Sequence, residues 1–278
     1  MTDKILAKKL AKAYDKFILG PNDFAIKKGY VTGFIGKNGM GKTTTIKAFL
    51  SLINYDGEIF IDGKKIEDLS YLQDVGLVMD DSFLGKDWTL DLVNEAMSVG
   101  YKNWEASTYY GYLERFGLEM EKKVSDLSRG MKIKLMLAVA LSHQAKILIL
   151  DEPTSGLDPA MRDELVDMIL DFMENPDHTV LFSTHITQDL DRIADYIVFI
   201  DEGKIIYEGT KDDFYDKYLL VKGGLEDLPR IDKSIIRGLK KSKVNFEALV
   251  LRDAYKEDDN LVAEVPSIDQ IMIYYGRI

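Results

Sequence analysis

A glycine-rich segment of eight residues constrains this chain more than any other feature of its sequence. It is Gly36-Lys37-Asn38-Gly39-Met40-Gly41-Lys42-Thr43, and it fits the pattern G-x-x-x-x-G-K-[ST]. A β-rich run at residues 30–35 precedes it, and a helical stretch at residues 43–51 follows. Glycine lets a backbone approach a ligand closely, and the amide groups of such a loop, with the next helix N-terminus, form an anion site. The segment therefore predicts a nucleotide phosphate site, in which Lys42 reaches the β- and γ-phosphates and Thr43 binds Mg²⁺.

The remaining pattern predicts an α/β fold with a parallel sheet. Short apolar runs indicate strands at residues 30–35, 59–61, 75–79, 147–150, 179–182 and 196–200, the second of them in a short hairpin. Helical periodicity extends over residues 88–141 and 160–173. Strands that alternate with helices are typical of a parallel sheet.

The end of the chain has a weaker pattern. We expect a boundary after residue 210 and a C-terminal appendage over residues 211–278, whose simplest interpretation is a stabilising tail packed on the core. Its less certain strands are at residues 218–222, 248–251 and 261–265. Ser267 is placed to cap a last helix.

Composition limits the kinds of partner. The formal net charge is −11, whereas a protein that binds nucleic acid needs a basic surface to displace counterions from phosphates. We therefore expect no nucleic-acid partner. The chain has no cysteine, which excludes disulfides and thiolate metal sites. The N-terminus lacks the apolar region of a signal peptide, and the longest apolar runs are too short to span a membrane.

Two carboxylates follow the apolar run at residues 147–150. Asp151 and Glu152 come at its carboxyl end, which in a parallel sheet faces the ligand crevice. Asp151 is placed to hold Mg²⁺, and Glu152 suits a general base that orients the attacking water. A solvated strand end with a helix cap is the alternative, and the presence of Lys42 in the same chain argues against it.

Further segments, in order along the chain, resemble the ABC (ATP-binding cassette) family. Leu127-Ser128-Arg129-Gly130-Met131 resembles its signature sequence in the LSxG form. Residues 151–158, DEPTSGLD, resemble the Walker B motif and the D-loop. Ser183-Thr184-His185 resembles the switch-histidine loop, and Tyr14 stands where the family has an aromatic A-loop residue. The resemblance covers about residues 1–210, and nucleotide kinases and small GTPases do not share this set of motifs.

The resemblance implies a fold and a mechanism. The fold is a P-loop NTPase parallel sheet core with an N-terminal antiparallel β subdomain and an inserted helical subdomain at about residues 84–142. In the mechanism, two such domains meet head to tail and enclose two ATP molecules. Tyr14 would stack on adenine, although an ordinary core or surface tyrosine is the alternative. His185 would hydrogen-bond the γ-phosphate and the region of the attacking water.

The remaining nucleotide contacts also follow from the resemblance. Thr44 joins the phosphate loop as a nucleotide-binding residue. Ser128 and Gly130 would contact the γ-phosphate bound by the opposite subunit, through a hydroxyl and a bare backbone N–H at a helix N-terminus. Asp158, at the end of the D-loop, is expected among the nucleotide-binding residues.

The chain departs from the family pattern at two places. Where the family has the glutamine of the Q-loop, this chain has Asp80, with Asp81 as the alternative equivalent. A carboxylate can still contact Mg²⁺ or its water, so Asp80 is a candidate metal ligand. In the signature, Arg129 replaces the second glycine and Met131 the glutamine.

The resemblance further implies an ATPase subunit that drives transport, most similar to those of ABC-2 type exporters. It would work at the cytoplasmic face of the membrane with a separate membrane-spanning permease, contacted near residues 80–88 and the helical subdomain. Both halves of the composite site are present, which permits a homodimer and leaves a heterodimer open. The alternatives are a soluble ABC ATPase of ribosomes or DNA and a P-loop kinase.

Overall fold

The strands of this protein form three sheets in the computed structural model, which describes residues 2–79 and 83–277. The strands, numbered in chain order, are β1 (Asp3–Tyr14), β2 (Phe17–Lys27), β3 (Val31–Ile35), β4 (Asp56–Ile61), β5 (Lys64–Lys65), β6 (Val75–Val78), β7 (Ile147–Asp151), β8 (Thr179–Thr184), β9 (Tyr196–Asp201), β10 (Lys204–Thr210), β11 (Tyr218–Gly224), β12 (Ile236–Lys241), β13 (Asn245–Leu251) and β14 (Val262–Glu264). The α-helices are α1 (Lys42–Phe49), α2 (Leu90–Gly100), α3 (Ala106–Phe116), α4 (Arg129–Leu141), α5 (Pro159–Met173), α6 (Gln188–Ile193), α7 (Lys211–Asp216) and α8 (Ile268–Tyr274). The chain divides into two compact units, Met1–Glu208 and Gly209–Ile278, close to the boundary predicted after residue 210.

The largest sheet of the first unit has the order β10-β9-β3-β8-β7-β6. Neighbouring strands from β9 to β6 pair in parallel. Every residue of β3, β7 and β8 is buried, as expected for strands covered on both faces. The continuous apolar runs of the sequence predicted this sheet correctly. Its parallel strands bring the residues that follow β3, β7 and β8 to one edge.

The second sheet of this unit is antiparallel, with the order β2-β1-β4-β5. The alternation of apolar and polar residues did not predict β1, because register shifts interrupt the pairing of β1 with β2. Lys9 lies at one of them, with φ of 51°, as in a β-bulge that breaks the two-residue period. The resemblance implied this antiparallel subdomain, and the structure contains it.

The predicted helical stretch at residues 88–141 is three separate helices. Thr89 caps α2 by accepting a hydrogen bond from Leu92 N at 3.2 Å. Gly117, with φ of 65°, ends α3 in the left-handed conformation that favours glycine. Ser128 caps α4. No helix among residues 2–79 and 83–277 combines the length and apolar character needed to cross a membrane.

The second unit contains the antiparallel sheet β12-β13-β11-β14. The prediction that Ser267 caps the last helix is confirmed, because Ser267 and Gln270 form a capping box at the start of α8. Strand β12 was not predicted. It is a basic edge strand, and its Gly238 passes so close to α8 that a Cβ there would lie 1.8 Å from Tyr274 O. The cluster beneath this sheet consists of Val221, Ile231, Ile235, Phe246, Ala248 and Val250.

Candidate active site

The glycine-rich loop connects β3 to α1 at the carboxyl edge of the parallel sheet. Gly41, with φ of 112°, is the N-cap of α1, so the first amides of the helix face the loop. A Cβ on Gly36 would lie 2.5 Å from Ile200 O, whereas a Cβ on Gly39 would have no atom within 4 Å. The loop is therefore packed against β9 at its start and open at Gly39, where a ligand has room.

Lys42 is the buried cation of this loop, with 5% of its surface exposed. Its Nζ donates a hydrogen bond to Gly36 O at 2.6 Å and lies 3.4 Å from Lys37 O. The same nitrogen is 3.1 Å from Glu152 Oε1. The loop thus holds a positive charge next to the predicted general base, where a phosphate group can reach both.

Asp151 lies between two hydroxyl groups. Thr43 Oγ1 donates to Asp151 Oδ2 at 2.7 Å, and Ser183 Oγ donates to Asp151 Oδ1 at 2.8 Å. Asp151 is 4% exposed. Thr43 and Asp151, both predicted as Mg²⁺ ligands, are therefore in contact although they come from different elements, α1 and β7.

Glu152 and His185 form a second pair at this edge. Glu152 Oε2 is 2.6 Å from His185 Nδ1 and accepts a longer bond from His185 N at 3.3 Å. Since an ionised carboxylate only accepts hydrogen bonds, Nδ1 carries the proton in this contact. Glu152 has φ of 51°, in the left-handed region that residues other than glycine rarely adopt. Its Oε1 is buried and no hydrogen-bond donor is aligned with it.

Tyr14 lies in a cleft of about 500 Å³ beside the glycine-rich loop. The tyrosine is 46% exposed, and Lys12 Nζ stands 5.6 Å from its ring centroid. The cleft is lined by Tyr14, Asp15, Lys16, Phe17, Ile18, Gly39, Met40 and Glu202. An exposed aromatic ring next to Gly39 and Met40 fits a planar base attached to phosphates in the loop.

The turn between β9 and β10 supports both this cleft and the loop. Gly203 N donates to Met40 O at 3.2 Å, and Gly203 O accepts from Gly20 N at 2.8 Å. A Cβ on Gly203 would lie 2.1 Å from Ile18 O. Burial raises the pKa of the neighbouring Asp201 carboxyl above its ordinary value, and the positive charge of Lys37 opposes that rise.

The signature residues and Asp158 form a second group. Ser128 Oγ accepts a hydrogen bond from Met131 N at 3.3 Å and is exposed at the start of α4. Asp158 Oδ1 accepts from Met161 N at 3.0 Å and caps α5. Gly130 is buried against Met161. The hydrogen bonds of Ser128 and Asp158 thus lie within the first turns of their own helices.

The other predicted residues are on the loop and the first turn of α1. Lys37 O accepts from Met40 N at 3.3 Å, Asn38 is exposed, and Thr44 lies half-buried in the first turn of α1. Asp80, with its alternative Asp81, lies outside the described residues.

Two contributors to this site were missed from the sequence. Ser183 was noted only as part of a Ser-Thr-His run, yet its hydroxyl orients Asp151. The signal was available, since a polar residue near the carboxyl end of a buried strand faces the same edge as Asp151. The Glu202–Gly203 turn gave no such signal, because its contribution is made by backbone groups distant in sequence.

Comparisons with known proteins show the family of the chain. Residues 19–155 match the model of the ABC transporter family. The lantibiotic transport ATP-binding protein SrtF of Streptococcus pyogenes is 35% identical over 211 residues, which cover 73% of this chain and 89% of that protein. The linearmycin resistance ATP-binding protein LnrL of Bacillus subtilis (strain 168) is 32% identical over 220 residues, covering 74% of this chain and 69% of that protein.

A solved structure shows the same fold. It is the ATP binding subunit of an ABC transporter, with a TM-score of 0.68 and 28% identity, covering 75% of this chain and 90% of that chain. The motifs, the site at the carboxyl edge of the sheet and these relatives lead to one conclusion. The chain belongs to the ABC transporter family, as an ATP-binding and ATP-hydrolysing subunit.

Proposed function

We propose that this chain is the ATPase subunit of an exporter and that it drives a separate membrane-spanning permease from the cytoplasmic face of the membrane. One observation carries the proposal: Lys42 and His185 both contact Glu152 beside the glycine-rich loop. A cation for phosphate, a carboxylate base and a histidine in one place are suited to hydrolysis of a phosphoanhydride.

Nucleotide binding would use the loop and the cleft together. The triphosphate would lie along the amides of the loop and the N-terminus of α1, with Lys42 at the β- and γ-phosphates. The base would stack on Tyr14, which borders the same cleft as Gly39 and Met40. Lys37, Asn38, Gly41 and Thr44, on the same loop and the first turn of α1, would also bind the nucleotide.

Thr43 at the start of α1 and Asp151 at the end of β7 fit a bound Mg²⁺. Mg²⁺ takes oxygen ligands and is usually held by one or two carboxylates together with substrate phosphates. Thr43 Oγ1 and Asp151 Oδ2 supply a hydroxyl and a carboxylate oxygen 2.7 Å apart. When bound, the ion would neutralise the charge that develops on the phosphates. Asp80 remains a candidate for a further ligand.

Hydrolysis would depend on Glu152 as the base. Its buried Oε1, which lies 3.1 Å from Lys42 Nζ, would accept a proton from water, while His185 holds the other oxygen. Ser128 and Gly130 would complete the site of a second subunit in a head-to-tail dimer, with Asp158 nearby. This chain supplies both kinds of half-site, so a homodimer is the simplest assembly.

Export is the direction that the names of relatives support. SrtF is named for lantibiotic transport and LnrL for linearmycin resistance. A further relative, 33% identical over 204 residues, is named for Nod factor export. We therefore expect this chain to serve export through its own permease.

Co-expression of the full chain with the membrane protein encoded beside its gene tests the partner. We expect the two to co-purify in detergent and the complex to hydrolyse ATP. Recovery of ribosomes or DNA at physiological salt, or ATP turnover only when a metabolite acceptor is present, would instead support a translation- or DNA-associated ATPase or a kinase. A matched control uses an unrelated permease of similar size, which should not be retained.

Ser183→Ala tests the metal site. Loss of its hydroxyl leaves Asp151 Oδ1 without the bond at 2.8 Å that orients it, and loss of such a partner typically weakens metal binding by about 10-fold. We expect the Mg²⁺ concentration for half-maximal ATPase activity to rise by about that factor. Ser107→Ala, at an exposed position of α3, should leave it unchanged. A Ser183→Ala enzyme with the parental Mg²⁺ dependence would argue against Asp151 as a ligand.

A further inference from the structure

The least expected signature residue, Arg129, contacts the loop that carries the catalytic base. We propose that Arg129 is a positioning residue for hydrolysis, because its guanidinium lies over Gly156 of the same chain and fixes the loop at residues 152–158. The inference rests on the proposed function of Glu152 as the base. It gives a role to a substitution that the family pattern leaves unexplained.

Arg129 can approach the backbone of Gly156 closely because Gly156 has no side chain. A Cβ on Gly156 would lie 3.3 Å from Arg129 Nη1 and 3.8 Å from Arg129 Cδ and Cζ. Gly156 also has φ of 75°, in the left-handed region that favours glycine. The planar end of Arg129 therefore covers a bare Cα. The backbone conformation favours glycine there, and a Cβ would displace the guanidinium by a few tenths of an ångström.

Contacts near the Arg129–Gly156 pair also hold α4 and α5 together. A Cβ on Gly130 would lie 2.4 Å from Met161 Cε and 3.4 Å from Leu157 Cδ2. One turn further along α4, Lys134 forms an ion pair with Glu164 at 2.8 Å. The start of α4 is thus seated on the first turn of α5, and Arg129 extends this contact from α5 onto the loop before it.

Backbone hydrogen bonds within the loop at residues 152–158 would carry a displacement of Gly156 to Glu152. Glu152 N donates to Ser183 O at 2.9 Å, Ser155 N to Glu152 O at 3.2 Å, and Leu157 N to Thr154 O at 3.2 Å. Gly156 lies between the base and Asp158, the cap of α5. Loss of the Arg129 contact would allow Gly156 to move, and Glu152 would move with it.

The competing explanation is a direct contact between Arg129 and the nucleotide of a second subunit. The two explanations differ in what they predict. A direct phosphate contact depends on positive charge and affects nucleotide affinity, whereas a positioning contact depends on the shape of the guanidinium and affects the rate of hydrolysis.

The test measures kcat and KM for ATP with the full chain and Mg²⁺. Arg129→Ala is expected to lower kcat about 10-fold with KM almost unchanged. Arg129→Lys keeps the charge but lacks the planar group, so its kcat should stay near that of Arg129→Ala. In a Gly156→Ala background, Arg129→Ala should have little further effect, because the contact is already disturbed. If Gly156→Ala does not fold, Gly156→Asn serves instead, since asparagine tolerates positive φ.

Arg115→Ala, an exposed position of α3, is the matched control and should retain the parental kcat. The inference is overturned if Arg129→Lys restores the full rate, if KM rises while kcat is unchanged, or if the effect of Arg129→Ala is the same in both backgrounds. A parental chain that hydrolyses no ATP would contradict the proposed function, whereas an unchanged kcat in Arg129→Ala of an active chain contradicts only this inference.

Discussion

Glu152→Gln is expected to lower the rate of ATP hydrolysis by about 100-fold or more while ATP still binds. Glutamine keeps the size of the side chain, and its amide oxygen can still accept a hydrogen bond from His185 in place of the 2.6 Å contact with Glu152 Oε2. It cannot take a proton from water, because an amide is not a base at neutral pH. Lys42 loses the charge of its neighbour at 3.1 Å but keeps its hydrogen bond to Gly36 O. The phosphate loop itself is unchanged, so nucleotide affinity should persist.

Single-turnover hydrolysis and nucleotide titration of the same preparation separate these two effects. Size-exclusion chromatography with ATP should also show a dimer of the Glu152→Gln chain that persists, since ATP is not consumed. Glu114→Gln, at an exposed position of α3, should hydrolyse ATP at the parental rate. A Glu152→Gln variant with parental turnover would show that the base lies elsewhere.

Lys42→Ala is expected to weaken nucleotide binding by about 10- to 100-fold, the loss that follows removal of hydrogen bonds from a charged group. Lys42 is buried, and we expect its ammonium to be the cation that the phosphates meet in the loop. The variant also loses the bond to Gly36 O at 2.6 Å, so a modest fall in thermal stability should accompany the loss of affinity.

Titration calorimetry with ADP and with ATP measures the affinity, and thermal unfolding without nucleotide measures the stability. Lys47→Ala, later in the same helix, is the matched control because it removes a charge from α1 outside the loop. Equal affinities for Lys42→Ala and the parental chain would contradict the assignment of the phosphates to this loop.

The sequence predicted the parallel sheet and its edge because both depend on local signals. Continuous apolar runs mark β7 and β8, and the polar residues that follow them must meet at one edge. The 2.6 Å contact between Glu152 and His185 depends instead on the turn at Glu152, whose φ of 51° no local pattern indicates. The partners of Lys42 also depend on the folded path of the loop and not on its composition.

Strands with irregular pairing were harder to predict. The bulge at Lys9 displaces the alternation of β1, and β12 is a basic edge strand whose glycine is explained only by the approach of α8. Asp80 lies outside the residues that the structure describes. Its role in coupling ATP hydrolysis to the permease stays a prediction from the sequence.

The turn between β9 and β10 has a consequence for how this surface can diverge among related proteins. Gly203 packs against the carbonyl oxygen of Ile18, and Gly36 packs against that of Ile200, so close that neither position has room for a Cβ. Mutation can hardly alter that framework without a collision. The exposed side chains of Tyr14 and Ile18 carry no such restriction, whereas Glu202, with φ of 45°, stands in a backbone conformation that few side chains adopt. Variation at this cleft can therefore accumulate in the side chains of Tyr14 and Ile18 while the backbone that presents them stays constant.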